Sequence, residues 1–272
     1  MINRKFFKII KYKFVRLIEA NPIINLLIYN NIKYFKFFLP HEKDYLGMLK
    51  VCKNRFDHPI IDIGANLGIS TLGFRQMGFK NKIYIFEPNP EIFKKYLVPI
   101  KKKLKHIYLY NFALGKKNEN RNFFLPFYNN QSIHYFGSFN KKYIINSLKL
   151  TFPKLLKKIK LKKKKIPIKK FDDLNLNFKP HFIKIDVEGN DHLVLDGLKK
   201  TIKKFKPIFL IEYNKENYRE IKKKLYNYKI YIYDIKTNKM IKVNQRIFKN
   251  RISRSSKFNL LSNRNIYFIP IK

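Results

Sequence analysis

The stretch "PIIDIGANLGIS", residues 59–70, decides how this chain is read. Ile60, Ile61 and Ile63 make a short β-branched run, the pattern of a strand buried on both faces, and one acid, Asp62, interrupts it. Gly64 and Gly68 follow, with Asn66 between them, so the strand leads through a glycine turn into a helix. A dinucleotide fingerprint needs G-x-G-x-x-G, which lets the backbone approach a pyrophosphate at a helix N-terminus. Here the position two after Gly64 is Asn66, and the Gly-Lys-Ser/Thr ending of a P-loop is absent as well. An acid before the first glycine repels a phosphate and favours a cationic ligand.

Working outward, a second acid, Glu87, ends the run "IYIFEP", 19 residues after Gly68. A carboxylate at the tip of a second strand is the usual partner of ribose hydroxyls, because it accepts from both. A ribose without a pyrophosphate, carrying positive charge, describes S-adenosylmethionine. The segment "NFALG", 111–115, suits its adenine, with Asn111 as a polar reader and Phe112 and Ala113 as walls.

From residue 59 onward, strand and helix patterns alternate, which predicts an α/β fold with a mostly parallel sheet and helices on both faces. "PIIDIG", "KIYIFEP", "IYLYNFALG", "HFIKIDVEG" and "PIFLIEYN" read as strands. "ISTLGFRQMG", "NPEIFKKYLVPIKKKL", "DHLVLDGLKKTIKKF" and "NYREIKKKLYNY" read as helices, and "KIYIYDI" and "NIYFIPIK" as two final strands. Ligands of such sheets lie beyond the carboxyl ends of the strands, where Asp62, Glu87, Asn111, Asp186, Glu188 and Glu212 all fall. Residues 1–57 read as short, basic amphipathic helices, an appendage to a domain over 58–272. Such a helix packs its apolar face on its own domain or lies on a membrane surface.

The alternation breaks in an insert at about 116–180. Its first part reads as one or two strands and loops, in which His134 and Ser138 have structural roles. Its second part, "KLLKKIKLKKKKIPIKK" (154–170), holds ten lysines and reads as a solvated surface or loop that would otherwise recruit an anionic substrate.

The chain of 272 residues carries 60 Lys and Arg against 18 Asp and Glu, a formal charge of +42. That charge implies contact with polyanions, at least non-specifically. Only ten of the basic residues are Arg, while Lys, Asn, Ile, Phe and Tyr crowd the whole sequence, the signature of a coding bias. The single cysteine, Cys52, excludes an internal disulfide framework and fits a reducing compartment. The N-terminal stretch has no uninterrupted apolar region of a secretory signal, and "PIINLLIYNNI" is too short to span a bilayer. A cytoplasmic location, peripheral to the inner membrane face if the first helices lie there, is the expectation.

"DIGANLGIS", "IFEPNP", "NFALG", "KKFDDL", "FIKIDVEGNDHLVLDGL" and "PIFLIEYN" occur in the order and approximate spacing seen in the FkbM family of methyltransferases, which this chain resembles over residues 58–272. The resemblance implies a class I, Rossmann-like methyltransferase fold, with a seven-stranded sheet whose last strand is antiparallel. It also implies transfer of a methyl group from S-adenosylmethionine to a hydroxyl of a sugar, glycan or related natural product. Carried over residue by residue, Asp62, Gly64, Asn66 and Gly68 look like the pocket for the methionine end, Glu87 the ribose clamp, and Asn111, Phe112 and Ala113 the adenine flank.

Asp186 and Glu188 look like the family's D-x-E-G acids beside the methyl group. Many relatives continue with His or Tyr and then Glu, whereas this chain has Asn190, Asp191 and then His192. A sugar hydroxyl is a poor nucleophile and needs a base within hydrogen-bond reach. Asp186, Glu188 and His192 are the catalytic candidates; helix capping and the helix dipole give the two acids alternative structural roles. Asp186, Glu188 and Glu212 also form a set of oxygen donors suited to Mg²⁺, although no metal site is expected. Two other functions fit parts of the sequence. The net charge suits an RNA methyltransferase, against which the scarcity of Arg counts, and it suits a non-catalytic module binding polyanions or membrane surfaces.

Overall fold

The computed structural model describes residues 43–52, 58–248 and 265–271. Of the helices expected over 1–57, those before residue 43 lie outside the described residues. The remainder is a 3₁₀ turn, Lys43–Gly47, that runs into a short helix, Met48–Val51. The described strands are β1 (Ile60–Ile63), β2 (Ile83–Phe86), β3 (Ile107–Tyr110), β4 (Ala113–Leu114), β5 (Glu119–Tyr128), β6 (Gln131–Ser132), β7 (Lys160–Lys169), β8 (Phe182–Ile185), β9 (Ile208–Glu212), β10 (Tyr228–Asp234), β11 (Lys239–Lys242) and β12 (Asn265–Pro270).

The main sheet runs β11-β10-β12-β9-β8-β1-β2-β3. Strands β3, β2, β1, β8 and β9 are parallel neighbours. The last strand, β12, lies antiparallel between β9 and β10, as the resemblance implies. To the seven expected strands the structure adds an eighth, β11, which returns antiparallel along β10 as an edge hairpin. Its sequence, "KMIK", is too short and too lysine-rich to register as a buried strand, and an edge tolerates both features.

Buried side chains alternate between two cores. On one face Ile61, Ile63, Phe86, Ile183, Ile185, Phe209 and Ile211 pack with Val194 and Leu195 of the helix Asp191–Gly197, and with Ile221 of the helix Tyr218–Lys224 and Leu225 at its end. On the other, Ile60, Ile83, Ile85, Phe182 and Leu210 pack with Phe74 of the helix Ile69–Gln76, Leu97 and Ile100, and with Tyr45 and Met48 of the N-terminal turn. That turn is tied to the last strand: the buried Asp44 accepts a 2.9 Å bond from the Asn265 backbone N–H, and its carbonyl accepts 2.8 Å from the Tyr267 hydroxyl. Residues 43–52 are thus integral to the sheet's packing.

The insert is a structure of its own. β5 pairs antiparallel with β7 from Glu119↔Ile168 to Phe127↔Lys160, within a second sheet ordered β4-β7-β5-β6. The lysine run is therefore mostly a strand rather than a loop, and it presents the solvated surface that was the other expectation. Its lysines 160 and 162–165 are exposed while Ile166 and Ile168 are buried. The third predicted strand, "IYLYNFALG", breaks after Tyr110: β3 stays in the main sheet and β4 crosses into the second one. The helix expected over 191–205 breaks at Leu198 into Asp191–Gly197 and Lys199–Phe205. Gly197 explains part of the motif spacing, since a Cβ there would lie 2.1 Å from the Gly115 carbonyl oxygen, so "NFALG" and "LDGL" meet backbone to backbone.

Candidate active site

The chain order reverses at β1, which has β2 on one side and β8 on the other. This is the switch point where open α/β sheets bind ligands. The glycine turn leaves β1 there. Gly64 has φ +77°, and a Cβ would sit 1.9 Å from the Asp186 carbonyl oxygen, so only glycine lets the loops after β1 and β8 approach. Gly68 has φ +75° and packs against Ile100 and Leu97. Between them Asn66 also takes a positive φ of 50°, a conformation Asn tolerates.

Asp62 is fully buried. One carboxylate oxygen accepts from the Ser70 hydroxyl at 2.6 Å and the Thr71 hydroxyl at 2.9 Å, both on the helix after the turn. The other lies 3.5 Å from the Lys184 ammonium. Asp62 therefore shapes the turn from beneath rather than presenting its carboxylate at the surface.

Glu87 is 6% exposed and holds the turn from the β2 side. Its oxygens accept from the backbone N–H groups of Asn66 and Asn89, each at 2.8 Å. Burial pushes its pKa up to about 7, against the opposing pull of those two N–H groups and of Lys184. Asn111 donates to the Glu87 carbonyl at 2.9 Å, so its side chain fixes the strand-tip backbone. Phe112 stacks edge-on against Phe86 and carries the Lys169 ammonium 4.6 Å from its ring centre, and Ala113 is buried.

On the other side of the turn, Asp186, Glu188 and Glu212 bring one carboxylate oxygen each within 4.8 Å of the others. Glu188 has φ 50° and sits under the insert. The Tyr143 hydroxyl donates to its carboxylate at 2.7 Å, and the Ser138 hydroxyl to its carbonyl at 2.7 Å. Burial and then the charges of Glu188 and Glu212 push the Tyr143 phenol far up, so it remains a donor. Asp191 is buried beneath; it accepts from Val187 N–H at 3.2 Å and from the Asn217 amide at 3.0 Å, and burial and Asp186 push it up to about 7.

The structure thus brings Asp62, Gly64, Asn66, Gly68 and Glu87 together at one turn, with Asn111 tied to the Glu87 carbonyl and the Asp186 backbone against Gly64, while Phe112 packs on Phe86 and Ala113 pairs with Ile168 in the second sheet. His192 is not brought to the acids at the strand tips. Burial lowers its pKa, with Lys224 adding to the effect, and Asp196 and Glu220 are the acids that act on it. The three-acid set has the donor chemistry for Mg²⁺, but the Lys184 ammonium 3.3 Å from Asp186 works against a divalent cation. Lys184, Tyr143 and Ser138 are the site residues the sequence reading passed over in this role. Lys184 had a readable signal, a lysine inside the apolar strand "FIKI"; Tyr143 belongs to a helix of the insert with no motif around it.

The site's residues fit S-adenosylmethionine. A glycine cradle, an acceptor oxygen of Asn66 that is buried without a hydrogen bond, and a buried carboxylate at the second strand tip suit its ammonium and ribose. The family model of the Methyltransferase FkbM domain matches residues 62–233, more than half of the chain. The protein belongs to this family and carries the fold of an S-adenosylmethionine-dependent methyltransferase.

Among solved structures, Methyltransferase FkbM from Methylobacillus flagellatus KT is similar at 15% identity and a TM-score of 0.48, over 78% of this chain and 44% of that one. The chain therefore spans less than half the length of that protein. Precorrin-6y C5,15-methyltransferase from Geobacter metallireducens GS-15 is similar at 12% identity and a TM-score of 0.37, over 81% and 82% of the two chains. An S-adenosylmethionine-dependent methyltransferase from Clostridium acetobutylicum ATCC 824 is similar at 12% identity and a TM-score of 0.38, over 91% and 98%. No curated protein matches the sequence significantly.

Proposed function

We propose that this protein is an O-methyltransferase that uses S-adenosylmethionine to methylate a hydroxyl of a sugar, glycan or related natural product. The observation that carries the reading is the acid set Asp186, Glu188 and Glu212, gathered beside the glycine turn, with the insert's Tyr143 and Ser138 bonded to Glu188. Such a set offers several acceptors to an acceptor molecule rich in hydroxyl donors.

S-adenosylmethionine supplies a methyl group made reactive by its sulfonium. The protein's residues do the rest. The glycine turn and Glu87 fix the cofactor, so positioning supplies much of the rate. Asp186, 27% exposed, is the base that takes the acceptor hydroxyl's proton. Glu188, fixed by Tyr143, orients the neighbouring hydroxyls. The same acids repel a phosphodiester backbone, which counts against RNA as acceptor despite the net charge.

A methyl-transfer screen over nucleotide sugars and glycans tests the proposal. Turnover of the accepted sugar should fall at least about a hundredfold in Asp186→Asn, within the range of general-base losses, while cofactor binding survives. Turnover on RNA alone, or undiminished turnover in the variant, would contradict it.

A further inference from the structure

The feature the proposed function leaves unused is Lys184. It lies in the middle of β8, is 2% exposed, and pairs in register with Asp62 of β1. Its ammonium sits 3.5 Å from Asp62, 3.3 Å from Asp186 and 3.5 Å from the Gly64 carbonyl oxygen. It also acts electrostatically on Glu87. A single buried cation thus touches the support of the turn, the turn's own backbone and the proposed base. Burying an ammonium is costly unless its charge is balanced; here Asp62 and Asp186 flank it, and Glu188 and Glu212 gather beside Asp186.

We propose that Lys184 determines how strongly the site prefers the cationic cofactor over its neutral, demethylated product, a role that rests on the S-adenosylmethionine reading above. With Lys184 in place, Asp62 is offset, and the negative potential at the turn stays moderate. S-adenosylmethionine and S-adenosylhomocysteine differ by one methyl group and one positive charge. A change in that potential therefore alters the affinity of the first and leaves the second almost untouched. Lys184 keeps the preference small enough for the product and the fresh cofactor to exchange.

Calorimetry with both compounds tests this without any acceptor. In Lys184→Met the ratio of the two dissociation constants should shift toward S-adenosylmethionine on the order of tenfold, the size one unit charge gives across a partly screened site. Asp62→Asn, whose amide oxygen still accepts from Ser70 and Thr71, should shift it the other way by a similar factor. Lys184→Gln keeps a donor near Gly64 and Asp186 and carries the same expectation as Met, should the Met variant not fold. Equal weakening of both compounds in the Lys184 variants, with the ratio unchanged, would make Lys184 a structural prop and overturn the proposal. A wild-type protein that binds neither compound would instead overturn the cofactor reading beneath it.

Discussion

Two buried acids, Glu87 and Asp191, set the residue-scale energetics of this site. Burial pushes each up to about 7, well above the range of an exposed carboxylate. A carboxyl whose folded pKa is raised binds its proton more tightly in the folded state. Its contribution to stability is full below the unfolded pKa and is lost as pH rises through about 7. Chemical denaturation should therefore give a higher midpoint at pH 6 than at pH 8. Asp191→Asn should flatten part of that difference. Asn217 can accommodate the change by turning its amide, because its side-chain oxygen is buried without a hydrogen bond. A midpoint that rises from pH 6 to pH 8 would contradict this assignment. Asp62 and Glu87 were legible as acids at strand tips because sheet period and motif spacing place them there. That Asp62 supports the turn through Ser70, Thr71 and Lys184, while Glu87 holds backbone N–H groups, depends on three-dimensional contacts that no spacing encodes.

At the scale of elements, the insert reaches the site through Ser138 and through the helix that follows it. Lys141–Thr151 is capped by Asn140, whose side chain accepts from Tyr143 N–H at 3.0 Å, and its inner face packs Ile144 and Leu148 with Ile133, Phe136 and Phe152. Tyr143 then reaches Glu188 across that junction, and its ring lies against Gly189, where a Cβ would be 3.0 Å away. Tyr143→Phe removes the bond but keeps the ring, and should lower stability by about 1.5–3 kcal/mol, as expected for a hydrogen bond to a charged group. Urea denaturation reads the loss, and faster amide exchange over 138–144 should accompany it. An unchanged stability would detach the insert from the acid set. The main sheet was readable because buried parallel strands are near-continuous apolar runs. The insert was not: β7 pairs a lysine-rich strand with β5, so its alternation of exposed lysine and buried isoleucine is confined to Lys165–Lys169. β5 itself mixes Asn, Phe and Pro.

For the molecule as a whole, +42 is a physical quantity whatever its origin. Exposed lysines are spread over β7, the helix ends and the turns, and far outnumber the acids available to pair with them, as Lys117 pairs with Glu119 and Lys223 with Glu220. Self-repulsion of this kind destabilises a compact state and is screened by salt. Raising sodium chloride from low to physiological ionic strength should raise the thermal midpoint by about 3 °C, roughly 1 kcal/mol for a chain of this size. A midpoint that falls with salt would mean that attractive ion pairs dominate. Among the described residues no helix is long and apolar enough to cross a membrane.

The glycine turn between β1 and the helix Ile69–Gln76 is expected to hold S-adenosylmethionine, with Glu87 as the ribose clamp. Titration calorimetry of S-adenosylmethionine into the wild-type protein and Glu87→Ala addresses it most directly. Saturable one-to-one binding is expected in the wild type, weakened about tenfold or more in the variant, since each hydrogen bond to a charged group is worth about 1.5–3 kcal/mol. Equal affinity in both proteins, or no binding in the wild type, would contradict it.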